Sequence, residues 1–442
     1  MHMSRQRIGI PNTRSSSHKL RLCARACLLL MMAAVPAMPA PPGNLDPAFS
    51  KLPFNLWMTQ GKQAQIHWSV DVPAPELSTH QRLILRVAIH VDGRELEKRG
   101  PGDLTALLQF QDSDGRTWQN HTALKREDMQ PGVQNRDLSL YQYAFILPGD
   151  YNLSIAICDT ATLEHSVTLR KIHVAPLKTD PLPDSWAGLP RVEFIPGVTD
   201  PPDVWYLPDN GNRLRLPVTT HRPVHLQILV NTTPTQRSSG SVTALRSNMS
   251  VLIPALKILS QMDLANGSID AALLDLTHRR VTFEQKNVHA LNWDAIRKLF
   301  VDIRPGIIDV HALEGEWKMR RFFWDEVNRR LKQDPAGQNV VIVLSGPAFL
   351  EDQEPVEPLE APNDPNRRLF YIRYRTIPPR PAHPRLRPGA RGPLLTPPPT
   401  YPMPVDDLEH TLEPLNARLF DATSSEQFRR ILAAVMDQLS GM

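Results

Sequence analysis

The spacing of apolar residues changes once along this chain, near His225, and that change restricts the fold more than any other feature. Before it, from about Lys51 to Val174, short β-rich runs follow one another between turn residues: Ala64–Val70, Arg82–Val91, Leu104–Phe110, Leu138–Ile146, Tyr151–Asp159 and Val167–Val174. Leu83, Leu85, Val87 and Ile89 recur at every second position, which places them on one face of a strand. Asp92-Gly93 and Pro148-Gly149-Asp150 are hairpin chemistry, because glycine accepts the positive φ that tight turns require. An all-β sandwich of seven or eight strands is expected over 51–175. Asp112-Ser113-Asp114-Gly115 looks like the start of a calcium loop, but the downstream glutamate is missing and a plain hairpin turn is the reading.

After His225 strands alternate with helices. Leu226, Ile228, Leu229 and Val230 form an apolar strand, and a helix is expected over Asn248–Met262, with Leu252, Ala255, Leu256 and Leu259 on one face. Pro254 inside that pattern predicts a kink or a later start. Strands are expected at Ile269–Leu276, Arg280–Gln285, Asn339–Leu344 and Leu369–Tyr374, and helices at Trp293–Phe300, Trp317–Leu331 and Ser424–Leu439. This order predicts a parallel sheet covered on both faces over 223–442. The 43 prolines argue against an all-helical protein. Many of them fall in 176–222, read as a proline-rich linker packed on its neighbours through Trp186, Val192 and Phe194, and in an insertion at 351–404, acidic first and then basic.

Residues 1–37 carry six basic side chains (Arg5, Arg7, Arg14, Lys19, Arg21 and Arg25) and no acid, then the apolar run Ala26–Ala34 and Val35-Pro36-Ala37. That is the order of a secretory signal peptide, cleaved near Ala37, and the mature protein is expected to be exported to the periplasm or beyond the cell. The apolar run is well short of the roughly 20 residues a spanning helix needs. Removing six positive charges from the net +4 leaves about −2, so charge does not point to a nucleic-acid partner. Cys23 and Cys27 leave with the leader, and Cys158, inside an apolar strand, is read as a buried thiol.

The opening strand ends in Asn231-Thr232-Thr233-Pro234-Thr235, the central strand runs Val340–Leu344 into Ser345-Gly346, and Leu415–Asp421 precedes the last helix. In this order of elements the region over 224–350 and 404–441 resembles a von Willebrand factor type A domain, and the β-domain upstream resembles that of exported bacterial proteins that couple a sandwich to such a domain. The resemblance implies a multidomain chain: an N-terminal immunoglobulin-like all-β sandwich, then a C-terminal α/β Rossmann-like, type A-like domain.

Members of that family commonly bind Mg²⁺ through an Asp-x-Ser-x-Ser turn, a later Thr and an Asp after the central strand. Aligned here, those positions hold Asn231, Thr233 and Thr235, with Gly346 in place of the second aspartate, and Pro305–Asp309 offers no matching threonine. Mg²⁺ is a hard, strongly hydrated ion usually held by at least one carboxylate. The resemblance therefore implies a metal-ion-dependent adhesion site that has lost its metal, with Asp275 or Asp309 as the substitutes if the alignment slips. Asn231, Thr232, Thr233 and Thr235 are expected either to cap the following turn or to form a neutral hydrogen-bonding rim at the carboxyl edge of the sheet, and Asn231, Thr233, Thr235, Ser345 and Gly346 are the candidate binding residues there.

Other chemistry is less well served. Ser345-Gly346 lacks the glycines of a nucleophile elbow, since Val343 and Pro347 stand at those positions. His221 and His225 are separated by Pro223, which excludes a helical zinc pair. Trp317, Phe322, Phe323 and Trp324 on one helix are read as core. The expected function is a non-enzymatic, cofactor-free interaction protein whose partner is another extracytoplasmic protein. The alternative is an exported hydrolase using Ser345 and a nearby histidine.

Overall fold

The computed structural model describes residues 44–60, 66–94, 102–125, 137–195, 212–233, 242–301, 319–332, 337–348, 367–375 and 406–442. The leader, Thr235, Asp309, Trp317 and the 351–404 insertion lie outside the described residues. The described chain is a mostly β-sheet, multidomain α/β protein with several antiparallel strand pairs.

The all-β half opens with two short helices, α1 (Ala48–Lys51) and α2 (Phe54–Gln60). Nine strands follow: β1 (Trp68–Asp71), β2 (Glu76–Leu77), β3 (Leu83–Asp92), β4 (Leu104–Asp112), β5 (Thr117–Leu124), β6 (Asp137–Ile146), β7 (Gly149–Asp159), β8 (His165–Val174) and β9 (Val192–Phe194). They form two antiparallel sheets, ordered β5-β4-β7-β8 and β1-β3-β6-β9, with β2 paired to β3. Leu83, Leu85, Val87 and Ile89 from one sheet meet Leu104, Leu108, Leu153 and Ile155 from the other in a common core. Three of these strands go beyond the expected set, since β2, β5 and β9 carry no clear alternation. The Asp112 turn is a hairpin: one carboxylate oxygen accepts the amides of Asp114 and Arg116, and the other accepts from Arg191 at 2.9 Å.

The outer face of the β4–β7–β8 sheet carries a third layer. Phe54 and Trp57 of α2 bury Leu107, Ala156, Cys158 and Val167. Asp46 ties the front of this segment to β5, with Oδ2 2.6 Å from His121 Nδ1. Burial first, and then the neighbouring Asp159 charge, push the Cys158 thiol up to about 12, against a hydrogen bond with the Thr105 backbone. Because the thiolate is the reactive form, iodoacetamide at pH 8 is expected to leave Cys158 unmodified in the folded protein. Peptide mass mapping should show it alkylated only after denaturation.

The α/β half contains β10 (Leu216–Val218), β11 (Val224–Asn231), α3 (Val242–Leu259), β12 (Met262–Leu264), β13 (Gly267–Asp275), β14 (Arg280–Gln285), α4 (Trp293–Val301), α5 (Met319–Leu331), β15 (Gln338–Ser345), β16 (Arg367–Tyr374), α6 (Asp407–Leu412), β17 (Arg418–Ala422) and α7 (Ser425–Ser440). Its main sheet runs β14-β13-β11-β15-β16-β17. Every pairing is parallel except that of the edge strand β14, so the sheet is not the uniformly parallel one expected. The span 176–222, expected as a linker, supplies one strand to each half: β9 pairs with β6, and β10 pairs with β12.

Alternation sorts the sheet's side chains. Leu226, Ile228 and Val230 of β11 and Val340, Ile342 and Leu344 of β15 face the cluster that also holds the sandwich core, α3 and α7. Leu229, Val341 and Val343 face α5 and α6, where Phe323 and Trp324 pack as core residues. Helix α3 starts earlier than its pattern suggested and carries Pro254 inside it. Val251, Ile253 and Ile258 are buried along with the expected Leu252, Leu256 and Leu259, so the described side chains of α3, from Met249 on, are buried round the helix rather than on one stripe. Helix α5 ends on the sheet, where side-chain amides of Gln227 and Asn339 donate to the Arg330 and Leu331 carbonyls. These are the orphan acceptors of a helix C-terminus.

Candidate functional site

The first strand of the six-stranded sheet in chain order, β11, lies in the middle of that sheet. The chain builds outward to β13 and β14 on one side, then returns to β15, β16 and β17 on the other. Neighbouring strands whose connections diverge in this way leave a crevice at their carboxyl ends, where open sheets place ligands. Here those ends are Asn231 and Ser345.

The Asn231 side-chain amide donates to Ser345 Oγ at 3.0 Å, and the Ser345 hydroxyl donates to the Gly346 carbonyl at 2.6 Å. Asn231 Oδ1 accepts the Thr233 amide at 3.0 Å, while Thr233 Oγ1 accepts the Leu276 amide at 2.8 Å. The amide and hydroxyl of Thr232 both donate to the Leu274 carbonyl. Asn231 and Ser345 are buried. The structure thus brings Asn231, Thr233, Ser345 and Gly346 together, and their polar atoms bond to one another or to adjacent backbone. Thr235, expected here, lies outside the described residues.

Asp275 ends the adjacent strand one residue before Leu276. Its Oδ2 lies 2.6 Å from His278 Nδ1 and 3.6 Å from Arg280 Nε, and its Oδ1 accepts the His278 amide. Of the two substitutes the sequence offered, the described one, Asp275, is therefore engaged by its own turn. Asn231, Thr233, Ser345 and Gly346 supply neutral oxygens and no carboxylate. That donor set does not fit Mg²⁺, which gives up its water for anionic oxygens.

A charged half of the same edge was not among the expected site residues. Ser345 stands in register with Arg373 of β16, and Arg373 with Asp421 of β17. Arg373 Nε and Nη2 make a fork to the Asp421 carboxylate at 2.7 and 2.6 Å. Its Nη1 reaches Glu409 at 2.7 Å and Asp406 at 3.2 Å. Asp406 caps α6 through the Leu408 amide, accepts the Ala348 amide after β15, and accepts the Tyr371 hydroxyl at 2.7 Å. The Asp421 hydrogen bonds lead in raising the Arg373 pKa, against burial, and the same bonds lead in holding Asp421 below its ordinary 3.8. Burial, then the Asp406 charge and hydrogen bond, raises the Tyr371 pKa well above 10. Arg373 uses all three nitrogens on carboxylates and acts as a strut across the edge. The one sequence cue is that Arg373 follows Leu369 and Tyr371 at alternate positions of an apolar strand.

The Ser345 hydroxyl is buried and points its proton at a carbonyl, whereas a nucleophile needs a base within hydrogen-bond reach. Three of the five described histidines of this half pair elsewhere: His225 with Asp270 at 3.0 Å near the opposite end of the sheet, His278 with Asp275, and His410 near Glu413. Among the described residues no three His, Cys, Asp or Glu side chains converge as a metal-binding group, and no helix is long and apolar enough to cross a membrane.

No family model matches this chain. No curated protein matches it either. Among solved structures, one similar chain is a β-glucuronidase 2 of Bacteroides uniformis covalently bound to cyclophellitol-6-carboxylate aziridine. It is 9% identical, the match covers 63% of this chain and 33% of that one, and the TM-score is 0.16. This chain spans about a third of the length of that structure, and a TM-score so low carries no argument about fold or chemistry.

Proposed function

We propose that this is an exported, non-enzymatic protein-interaction protein, in which an immunoglobulin-like sandwich supports a type A-like, Rossmann-like domain that binds another extracytoplasmic protein without a metal bridge. The carrying observation is the Asn231–Ser345 hydrogen bond at the carboxyl ends of the two central strands, with Asn231 Oδ1 already turned to the Thr233 amide. Oxygens that would face a cation in the metal-binding relatives are here committed to neighbours.

Two features support the fold reading. The six-stranded sheet has the order third, second, first, fourth, fifth, sixth, shared by doubly wound sheets. In the sandwich, Tyr151 at the start of β7 donates its hydroxyl to the Leu147 carbonyl at 2.9 Å, the corner contact found in immunoglobulin-like sandwiches. Burial leads in raising that phenol to about 12, against the Arg191 charge, so it stays a donor at physiological pH.

Calorimetric titration with Mg²⁺ and with Mn²⁺, paired with capture from envelope extracts in EDTA or in Mg²⁺, tests the reading. No binding at micromolar metal and an EDTA-resistant partner are expected. Micromolar binding, or a partner lost in EDTA, overturns the metal-free edge. Labelling of folded protein at Ser345 by a serine-directed fluorophosphonate would overturn the non-enzymatic reading.

A further inference from the structure

Arg429, in the second turn of α7, is among the most deeply buried charged groups, at 1% exposure. Its Nε donates to Asp180 Oδ1 at 2.6 Å, and its Nη2 donates to Asp180 Oδ2, the Leu182 carbonyl and Ser185 Oγ at 2.9, 2.8 and 2.7 Å. The guanidinium also lies 4.9 Å from the centre of the Trp186 ring. That ring donates its Nε1–H to the Gln81 carbonyl at 2.8 Å, and the Gln81 side-chain amide donates back to the Ser425 carbonyl of α7 at 3.1 Å.

Three distant parts of the chain therefore close a circuit: Gln81 from the turn before β3, the 180–186 segment, and the start of α7. The circuit extends to β10, since the Arg215 amide donates to the Ser185 carbonyl at 2.9 Å. Gln81 holds φ at 58°, a left-handed conformation that a non-glycine residue keeps only where its surroundings over-determine it. It is fully buried, and its carbonyl and side-chain amide serve the two opposite sides of the joint.

Relative motion between two halves is the default unless their interface is large and apolar, and here one apolar cluster runs from the sandwich core to the facing side of the α/β sheet. Apolar contacts across such a joint permit sliding. A buried guanidinium fork with fixed acceptors permits one geometry, because misalignment leaves a desolvated charge without partners. We infer that Arg429 is a conformational clamp that locks the α/β half at one angle on the sandwich, using the 180–186 segment as the strap and Gln81 as the anchor. The clamp stands whether or not the sheet edge binds a partner.

The test compares full-length wild type with Arg429→Lys, Arg429→Ala and Trp186→Phe, by small-angle scattering, differential scanning calorimetry and hydrogen exchange. Arg429→Lys keeps the charge and the aliphatic stem but loses the fork. Trp186→Phe keeps an aromatic ring beneath the guanidinium but loses the bond to Gln81. Wild type is expected to melt in one transition. In both Arg429 variants the transition should split in two, the maximum dimension should lengthen, and amides of 180–186 and 425–429 should exchange about tenfold faster or more. Trp186→Phe should give the same changes in smaller degree. A folded Arg429→Lys with one transition and unchanged scattering overturns the clamp. If Arg429→Ala does not fold, Arg429→Lys and Trp186→Phe decide it on the same readouts.

Discussion

Replacing Gly267 with alanine is expected to destabilise the α/β half by about 3 kcal/mol or more, the upper range for overpacking a rigid site. A Cβ added at Gly267 would lie 2.2 Å from the Val224 carbonyl oxygen and 3.1 Å from its carbon. The obstacle is backbone, so no rotamer change relieves it. Val224 opens the central strand β11, where it pairs with Gly267 on one side and Gln338 on the other, and its amide is bonded to the Asn266 carbonyl at 3.0 Å. Separating β11 from β13 to admit a methyl group would loosen the ladder on which both halves of the edge are mounted. Glycine within a strand marks just such a close approach. At roughly 2–4 °C per kcal/mol for a unit of this size, the melting temperature should fall by about 10 °C. Gly441→Ala is the control, because its added Cβ would meet its nearest atoms at ordinary contact distances of 3.7 and 3.8 Å. A Gly267→Ala variant melting with the control would show that β11 and β13 yield more readily than parallel pairing implies.

Much of the framework was legible because burial alternates. The strand over Arg82–Val91 announces itself, since Leu83, Leu85, Val87 and Ile89 all enter the core, whereas β5 reads Thr-Trp-Gln-Asn-His-Thr-Ala-Leu and sends only Trp118 fully inside. Its strand conformation comes from pairing with β4, which no local pattern reports. The three-residue strands β9, β10 and β12 likewise exist through their partners. At the edge, Asn231 and Ser345 were legible because each ends an apolar strand. Arg373 and Asp406 were not, since their meeting depends on the register of β15, β16 and β17 and on where α6 begins. The helical layer over Cys158 was missed for a related reason: Phe54 and Trp57 sit in a segment too short for periodicity to identify what it covers.

Asp406→Ala should cost about 3–5 kcal/mol, the usual loss when one member of a buried charged network is removed. Asp406 is 3% exposed in its side chain and serves four donors from three parts of the chain: the amides of Ala348 and Leu408, the Tyr371 hydroxyl and Arg373. Truncation orphans the two amides and the phenol at once, while Arg373 keeps Asp421 and Glu409, and each buried unsatisfied group carries a desolvation penalty. Tyr371→Phe removes one bond and should cost about 1 kcal/mol, the ordinary net worth of a hydrogen bond. Urea midpoints at pH 7 measure both. If Asp406→Ala cost no more than Tyr371→Phe, the network would not be holding α6 to the end of β15. The same cluster sets an acid limit. Asp421 is held below 3.8, chiefly by the Arg373 hydrogen bonds, while Asp180 and Asp270 are buried but lowered by Arg429 and His225 respectively. A carboxyl lowered in the folded state contributes stability above its unfolded value and loses it as pH falls through the folded one. Midpoints should therefore hold near neutrality and fall progressively below about pH 5. Arg373→Met removes the largest cause holding Asp421 down and leaves Arg375 at 3.1 Å, so Asp421 should titrate higher than in wild type, and that variant should start less stable at pH 7 and lose less on acidification. An acid slope as steep in Arg373→Met as in wild type would remove Asp421 from the account of acid sensitivity.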